Sequence, residues 1–383
     1  MYQTKGFTRN FVKRCAILVL ILSVLLTLSP TAYAKKDLTK EILDVVVVGD
    51  DPRSQVALLA DGTVRTTGLS YAGYSKNLIR WVSSWTDIVQ ICTMGSHVFG
   101  LKKDGRVVST IGREPRDTPL GYLKPERRFD PNTWTGVKEL ISSGDFEYYA
   151  LTRDGRILAS NDEPGSCYGG CASFLNWTDI KKAVFFAYGE DRGLFGLRGD
   201  GTVIAAEDSA FSSYGGFSEP VRDVVDIDSS GYIFCALLKD GTVRLGGVVG
   251  EMRREDAARL HDVAQIAVCY QTLLCRLKDG TVVSCGSEGI ETLPKDWGSI
   301  VEIQSLHPQF PIGLCLGEDG KLHATGDFGE DLQKELESWE DIVRVTTQRG
   351  VLCVPEPYVL AWESDGTLHA WGIDVSALLA ACR

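Results

Sequence analysis

Histidine and methionine are scarce in this chain, at five and three residues out of 383. There is no His-Glu-x-x-His pair, no Gly-x-Ser-x-Gly elbow and no glycine-rich loop opening a helix. The signatures of zinc peptidases, serine hydrolases and nucleotide binders are therefore missing. Positive charge is also in deficit, with a net charge of −11. A phosphate backbone is held by a surplus of Lys and Arg, so no nucleic-acid partner is expected. Carboxylates are plentiful, but nothing marks out two of them as a glycosidase pair. The expectation is a protein that is not an enzyme and uses no cofactor and no metal.

Long apolar runs are absent except at the start. Lys5, Arg9, Lys13 and Arg14 precede 13 largely apolar residues at 16–28, followed by Pro30 and Ala32-Tyr33-Ala34. That order of basic, apolar and Ala-x-Ala segments is a secretory signal peptide, with an apolar core too short for a comfortable membrane span. Residues 1–34 are read as a cleaved leader. The mature chain is expected to be secreted or held at the cell surface, with no stable membrane span. No cysteine marks the cleavage point for a lipid anchor. Removing residues 1–34 takes away four basic and no acidic side chains, so the net charge moves from −11 to −15.

Ten cysteines lie beyond the leader, and in an exported chain they invite a disulfide framework. Cys167 and Cys171, in the connector DEPGSCYGGCASF, are candidates for a loop disulfide. No nearby His or second Cys pair completes a metal site there.

What the sequence does have is a recurring dipeptide. Asp-Gly stands at 61–62, 104–105, 154–155, 200–201, 240–241, 279–280, 319–320 and 365–366. A signal repeating every 40 or so residues denotes a repeat array. Four positions before each Asp is a small residue: Ala57, Gly100, Ala150, Gly196, Ala236, Cys275, Cys315 and Ala361. Three positions after it is an aliphatic one, from Val64 to Leu368. Asp-Gly between short apolar runs predicts a tight hairpin, of type I′ if both residues take positive φ. Cys275 and Cys315, in the small-residue slot, are read as small hydrophobes.

A second landmark precedes most of these turns: WTDIVQI at 85–91, WTGVKEL at 134–140, WTDIKKA at 177–183, WGSIVEI at 297–303 and WEDIVRV at 339–345. VRDVVDI at 221–227, LHDVAQI at 260–266 and ILDVVVV at 42–48 match it without the Trp. It reads as one more strand, entered through an Asp able to accept backbone N–H bonds. The Trp would pack between units. Three strands and a connector able to hold a fourth predict an all-β fold, a β-propeller of seven or eight blades with about four antiparallel strands each. Residues 35–383 form its single domain. An open β-solenoid is the alternative.

On these residues the repeat resembles a known family. GSHVFGLKKDGRVVSTIG at 95–112, YIFCALLKDGTVRLGG at 232–247 and VLAWESDGTLHAWG at 359–372 are similar to the repeat of the regulator of chromosome condensation family. The Trp-x-Asp-Ile lead-in resembles its secreted bacterial branch. A WD-type propeller also carries Trp-Asp, but there the pair closes a strand, whereas here the Asp-Gly hairpin follows the Trp. The resemblance implies a protein-binding propeller. Its precedents are nucleotide exchange on a nuclear GTPase, which a leader peptide argues against, inhibition of a secreted enzyme such as a β-lactamase, and glycan-cleaving or lactone-cleaving propellers.

Binding residues concentrate on loops carried by a rigid scaffold. Here the connectors between units are long and aromatic. Tyr71, Tyr74, Trp81, Tyr122, Phe129, Tyr168, Tyr214 and Phe217 are the candidate contacts, since Tyr and Trp dominate interface hot spots. The expected partner is a protein, with a cell-wall glycan as the other class. His323 and His369 share one offset after the turn Asp, which reads as a variable strand position. Each turn supplies a single carboxylate, too few for calcium. Residues 251–260 and 329–338 read as short surface helices.

Overall fold

The computed structural model describes residues 42–49, 51–67, 76–94, 97–111, 130–141, 149–159, 174–188, 191–205, 221–230, 233–247, 254–286, 289–307, 310–326, 330–347 and 357–382. The chain divides at residue 38, and every described residue belongs to the second unit, 39–383.

Eight antiparallel sheets follow one another in chain order, each built from consecutive strands. Blade 1 holds β1 (Ile42–Val47), β2 (Gln55–Leu59) and β3 (Val64–Thr66). Blade 2 holds β4 (Ile88–Met94), β5 (His97–Lys102) and β6 (Val107–Ser109), and blade 3 holds β7 (Val137–Ile141), β8 (Tyr149–Thr152) and β9 (Ile157–Ala159). Blade 4 comprises β10 (Ile180–Tyr188), β11 (Asp191–Arg198) and β12 (Val203–Ala205), and blade 5 comprises β13 (Val224–Ser230), β14 (Ile233–Leu238) and β15 (Val243–Gly247). Blade 6 has β16 (Val263–Cys269), β17 (Thr272–Leu277), β18 (Val282–Gly286) and a fourth strand, β19 (Gly289–Thr292). Blade 7 is β20 (Ile300–Ser305), β21 (Gly313–Gly317) and β22 (Leu322–Ala324), and blade 8 is β23 (Ile342–Thr347), β24 (Val359–Glu363) and β25 (Leu368–Trp371).

The described core consists of eight apolar clusters, and each one joins two successive blades. One links Val56, Leu58 and Val64 of blade 1 to Trp85, Ile88 and Ile91 of blade 2. The next six repeat this arrangement around to blade 8. The eighth joins Tyr358, Leu360 and Trp362 of blade 8 to Ile42, Val45 and Val47 of blade 1. An open stack of eight units would have seven interfaces. Eight clusters define a closed ring of eight blades, which excludes the solenoid and settles the blade number. The first strands of neighbouring blades lie against one another, β1 on β4, β4 on β7, β10 on β13, β13 on β16 and β16 on β20, and so form the inner wall.

Where a fourth strand was expected, short helices take part in several blades. α1 (Lys76–Val82) packs on β3, α3 (Glu330–Glu337) on β22, and α4 (Ser376–Cys382) on β2 and β3, across the closing seam. α2 (Arg254–Ala257) packs between β15 and β19. α2 and α3 are the two helices expected from the sequence. Leu332 and Leu336 of α3 are buried against Trp339.

The Asp-Gly turn is not type I′. Among the described residues, Gly62 has φ +78° and each later turn Gly is likewise positive, but no turn Asp has positive φ. Gly62 N donates to Leu59 O and Leu59 N to Thr63 O, both at 2.9 Å. The loop is therefore three residues long, a type I turn closed by a left-handed Gly. The Asp carboxylate holds the turn from inside: Asp61 Oδ1 accepts from Thr63 N at 2.8 Å and from Thr63 Oγ1 at 2.6 Å. The same bonds recur at Asp200 with Thr202 and at Asp240 with Thr242.

The lead-in Asp also has a different role from the one expected. Asp87, Asp179, Asp223, Asp262 and Asp341 all have φ between 53° and 60°, and Gly136 takes the same place at φ +69°. Asp tolerates this left-handed region better than most residues. It is the backbone carbonyl that bonds inside the blade, Asp87 O accepting from Lys103 N at 2.8 Å.

Candidate functional site: the Asp-Gly face

In each blade the first strand starts at the face of the ring that carries the Asp-Gly turns. The chain crosses to the far face, returns in the second strand, turns at Asp-Gly and crosses again. Seven turns are hydrogen-bonded to the following blade: Gly62 O accepts from Ile88 N, Gly105 O from Val137 N, Gly155 O from Ile180 N, Gly201 O from Val224 N, Gly241 O from Val263 N, Gly280 O from Ile300 N and Gly320 O from Ile342 N, at 2.9–3.0 Å. Glycine is required twice over here, by positive φ and by contact. A Cβ on Gly155 would lie 2.7 Å from Ile180 N. The most repeated residue pair of the sequence is thus the joint between blades.

The small-residue slot has a matching cause. A Cβ on Gly196 would lie 2.9 Å from the Trp177 ring, and one on Gly100 3.0 Å from Trp85. The lead-in Trp covers this slot and reaches the third strand. Trp85, Trp134, Trp177 and Trp339 are buried, as expected of side chains packed between units. In blades 7 and 8 the third-strand residue under the Trp is His323 or His369, stacked on Trp297 at 4.6 Å and Trp339 at 5.2 Å. The two imidazoles serve separate blades and do not form one site. Burial lowers the His323 pKa, and His369 Nε2 lies 2.7 Å from Glu363 Oε1.

The inner strands leave one backbone edge unpaired by the sheet, and side chains of neighbouring blades cover it. Gln90 brackets Leu140, donating to its O at 3.0 Å and accepting from its N at 2.8 Å. Gln265 does the same to Ile303. Lys182 Nζ meets Asp226 Oδ1 at 2.6 Å, and Arg344 Nη2 donates to Ile42 O at 3.0 Å across the seam. Asp228 accepts from Val268 N at 2.8 Å, and its burial raises its pKa. Among the described residues no His, Cys, Asp and Glu side chains group as a metal site.

Every first strand carries a bulge one residue after its entry, between Ile88 and Gln90 in blade 2 and at the equivalent point in the other seven. The extra residue is pushed outward. At this position stand Val89, Val225, Val301 and Val343, exposed to 54%, 52%, 47% and 60%. They make up four of the five exposed large hydrophobics among the described residues. The sequence reading missed them. The available signal is that the core residues Ile88 and Ile91 lie three apart rather than two.

Charge is unevenly distributed around the same face. Blades 2 and 3 expose Lys103, Arg106, Lys138, Arg153 and Arg156, with Arg106 and Arg156 paired to Asp104 and Asp154 at 2.7 and 3.4 Å. Blade 8 exposes Glu340, Asp341 and Asp365 beside half-buried Glu363. Bonds to residues two positions on lower the pKa of several turn carboxylates, Asp104 through Arg106 N and Asp200 and Asp240 through Thr202 and Thr242 hydroxyls.

Of the eight aromatic contacts expected on the connectors, only Trp81 is among the described residues. It is half-buried on α1, edge-on to Trp85 at 6.4 Å, against the cluster between blades 1 and 2. Tyr71, Tyr74, Tyr122, Phe129, Tyr168, Tyr214 and Phe217 lie outside the described residues, as do Cys167 and Cys171. All seven cysteines among the described residues are free, so the expected disulfide framework does not involve them. Six are buried. Desolvation pushes the Cys285 thiol up to about 11 and the Cys315 thiol up to about 12, which suppresses the reactive thiolate. No helix among the described residues is long and apolar enough to cross a membrane.

These features define an eight-bladed β-propeller of repeats that resemble the condensation-regulator type. No family model and no curated protein matches the chain. Among solved structures it is similar to Prp20p from Saccharomyces cerevisiae, whose structure was described with its binding to Gsp1p and histones, at 16% identity and a TM-score of 0.41 over 76% of this chain and 84% of that one. It is also similar to human WBSCR16, at 15% identity and a TM-score of 0.40 over 81% and 85% of the two chains. BamB from Moraxella catarrhalis is similar at 11% identity and a TM-score of 0.41, over 86% and 96%.

Proposed function

We propose that this chain is exported and acts as a non-enzymatic protein-interaction module, binding its partner through the connectors between blades. The observation that carries this is the same cross-blade bond at seven successive interfaces. Those bonds tie the units into one stiff frame, and a stiff frame lowers the ordering cost of the loops it presents. The frame repeats, whereas the connectors differ in length and carry the aromatic residues. The proposed partner is a protein rather than a glycan.

The test compares the purified protein with a variant carrying Ala at Tyr71, Tyr74, Tyr214 and Phe217. Each is immobilised and exposed to culture fluid and solubilised envelope from the producing organism. One protein retained in equimolar amount by the parent, and lost from the variant at unchanged melting temperature, is the expected result. Equal retention by both overturns the role of the connectors. Sedimentation with insoluble wall polymer, with no protein retained, overturns the protein partner.

A further inference from the structure

We propose that the Asp-Gly face is a contact between two copies of this chain, stacked face to face about a two-fold axis lying in that face. The proposal goes beyond the connector reading and does not depend on it.

Two independent features converge on this face. The first is apolar: Val89, Val225, Val301 and Val343 occupy one equivalent position and are each about half exposed. Singly exposed aliphatics are ordinary on a protein surface, but Val301, Val343 and Val89 fall in blades 7, 8 and 2, an apolar arc on either side of half-buried Leu43 in blade 1 that gains by being covered, whereas blades 3 and 4 carry Lys138 and Lys181 at the same position. The second is electrostatic. Blade 8 exposes Glu340, Asp341 and Asp365, while blades 2 and 3 expose five cations, Lys103, Arg106, Lys138, Arg153 and Arg156, against three carboxylates, Asp87, Asp104 and Asp154.

Both charge sectors lie on the same face, so the face complements itself. A two-fold axis directed between the two sectors, near blade 1, lays blade 8 of each copy over blades 2 and 3 of the other. Acid then meets base twice, and Val343 comes over the rim beside Val89. This is the isologous arrangement of closed dimers. Backbone pairing does not compete with it. The N–H and C=O groups at seven of the turn joints are bonded across the blades, so the contact is made by side chains and does not extend a sheet.

The experiment measures the mass of the purified protein by sedimentation and light scattering from low micromolar to several hundred micromolar. A mass rising from one chain to two is expected. Val343→Asp and Val89→Asp, at exposed positions, should each weaken association by roughly tenfold or more while the melting temperature holds. Glu340→Lys alone and Lys103→Glu alone should weaken it, and the two together in one chain should restore it. A single-chain mass at every concentration overturns the proposal. So does a dimer indifferent to the valine variants, or one that the double charge exchange does not restore. If the chain stays monomeric yet retains a partner through its connectors, the self-contact fails and the proposed function stands.

Discussion

Replacing Gly155 by Ala tests the claim that the Asp-Gly turn is a joint between blades and not merely a hairpin. Gly155 has φ +77°, and an added Cβ would sit 2.7 Å from Ile180 N and 3.0 Å from Asp179 Cα. Both are backbone atoms of the next blade and cannot rotate away. Holding Ala in the left-handed region costs about 1–2 kcal/mol. Relieving the contact lengthens the bond from Ile180 N to Gly155 O, 2.9 Å in the native ring, and losing one such bond costs about 1 kcal/mol. The total is about 2–3 kcal/mol. Gly136 supplies the reference. Its φ is +69°, yet nothing lies within 4 Å of its added Cβ. Gly136→Ala should therefore cost only the conformational part, about 1–2 kcal/mol. Gly136→Asp should cost less, since Asp87 and Asp179 hold the equivalent place at φ 60°. Urea unfolding at constant slope reads all three variants. Equal midpoints for Gly155→Ala and Gly136→Ala would refute the joint.

Three further outcomes are expected. Cys92, Cys235, Cys269, Cys275, Cys285 and Cys315 should react with a thiol reagent only slowly until denaturant is added, because all six are buried; rapid labelling of these residues in the folded state, located by peptide mapping, would contradict this burial. Buried Asp228, with its raised pKa, works the other way, but acid should destabilise the ring through His323 and the turn carboxylates Asp104, Asp200, Asp240 and Asp279, whose folded pKa values are lowered. Such stability is present above the unfolded values, about 6.5 for His and 3.9 for Asp, and is lost as pH falls through the folded ones. His323→Val, matching Val108 and Val283 of other blades, should remove the loss that begins near pH 6.5 and keep the carboxylate phase, as followed by melting temperature against pH. Arg344→Ala removes the bond to Ile42 O and a guanidinium 3.9 Å from the Trp362 ring centroid. It should cost about 1–3 kcal/mol, with the largest rise in amide exchange in blades 8 and 1.

The units were legible because the joint between blades demands the same two residues each time. The Asp-Gly pair announces a tight turn but not its type. Type I′ and the three-residue turn both accept it, and they differ in the φ of the Asp and in whether the residue before it belongs to the strand or to the loop. The choice is made by the next blade, whose Ile88 N needs Gly62 O in reach, a tertiary demand that the hairpin sequence does not display. The bulge was hidden for the opposite reason. Ile-Val-Gln-Ile reads as a strand with one polar interruption, although the three-residue spacing of Ile88 and Ile91 is incompatible with an unbroken pleat. At the closing seam the repeat pattern weakens, since blade 1 lacks the lead-in Trp and Trp362 replaces the usual Leu. That substitution is itself part of the closure, because Trp362 reaches the cluster shared with Ile42 and Val45 and carries Arg344 over its ring.

The inner wall shows why the closure is an interface like the others. The residue after the bulge runs Asp44, Gln90, Glu139, Lys182, then Asp226, Gln265, Glu302, Arg344. The order acid, Gln, acid, cation appears twice, once in each half of the ring. The members that reach forward are the same in both halves: Gln90 to blade 3 and Gln265 to blade 7, Lys182 to blade 5 and Arg344 to blade 1. Arg344 is therefore to the seam what Lys182 is to the junction between blades 4 and 5. The first and last blades are held together by this repeated side-chain position and by α4 laid on blade 1. The Asp-Gly face and inner wall are thereby fixed by the geometry of the ring, and the connectors are left as the segments free to differ.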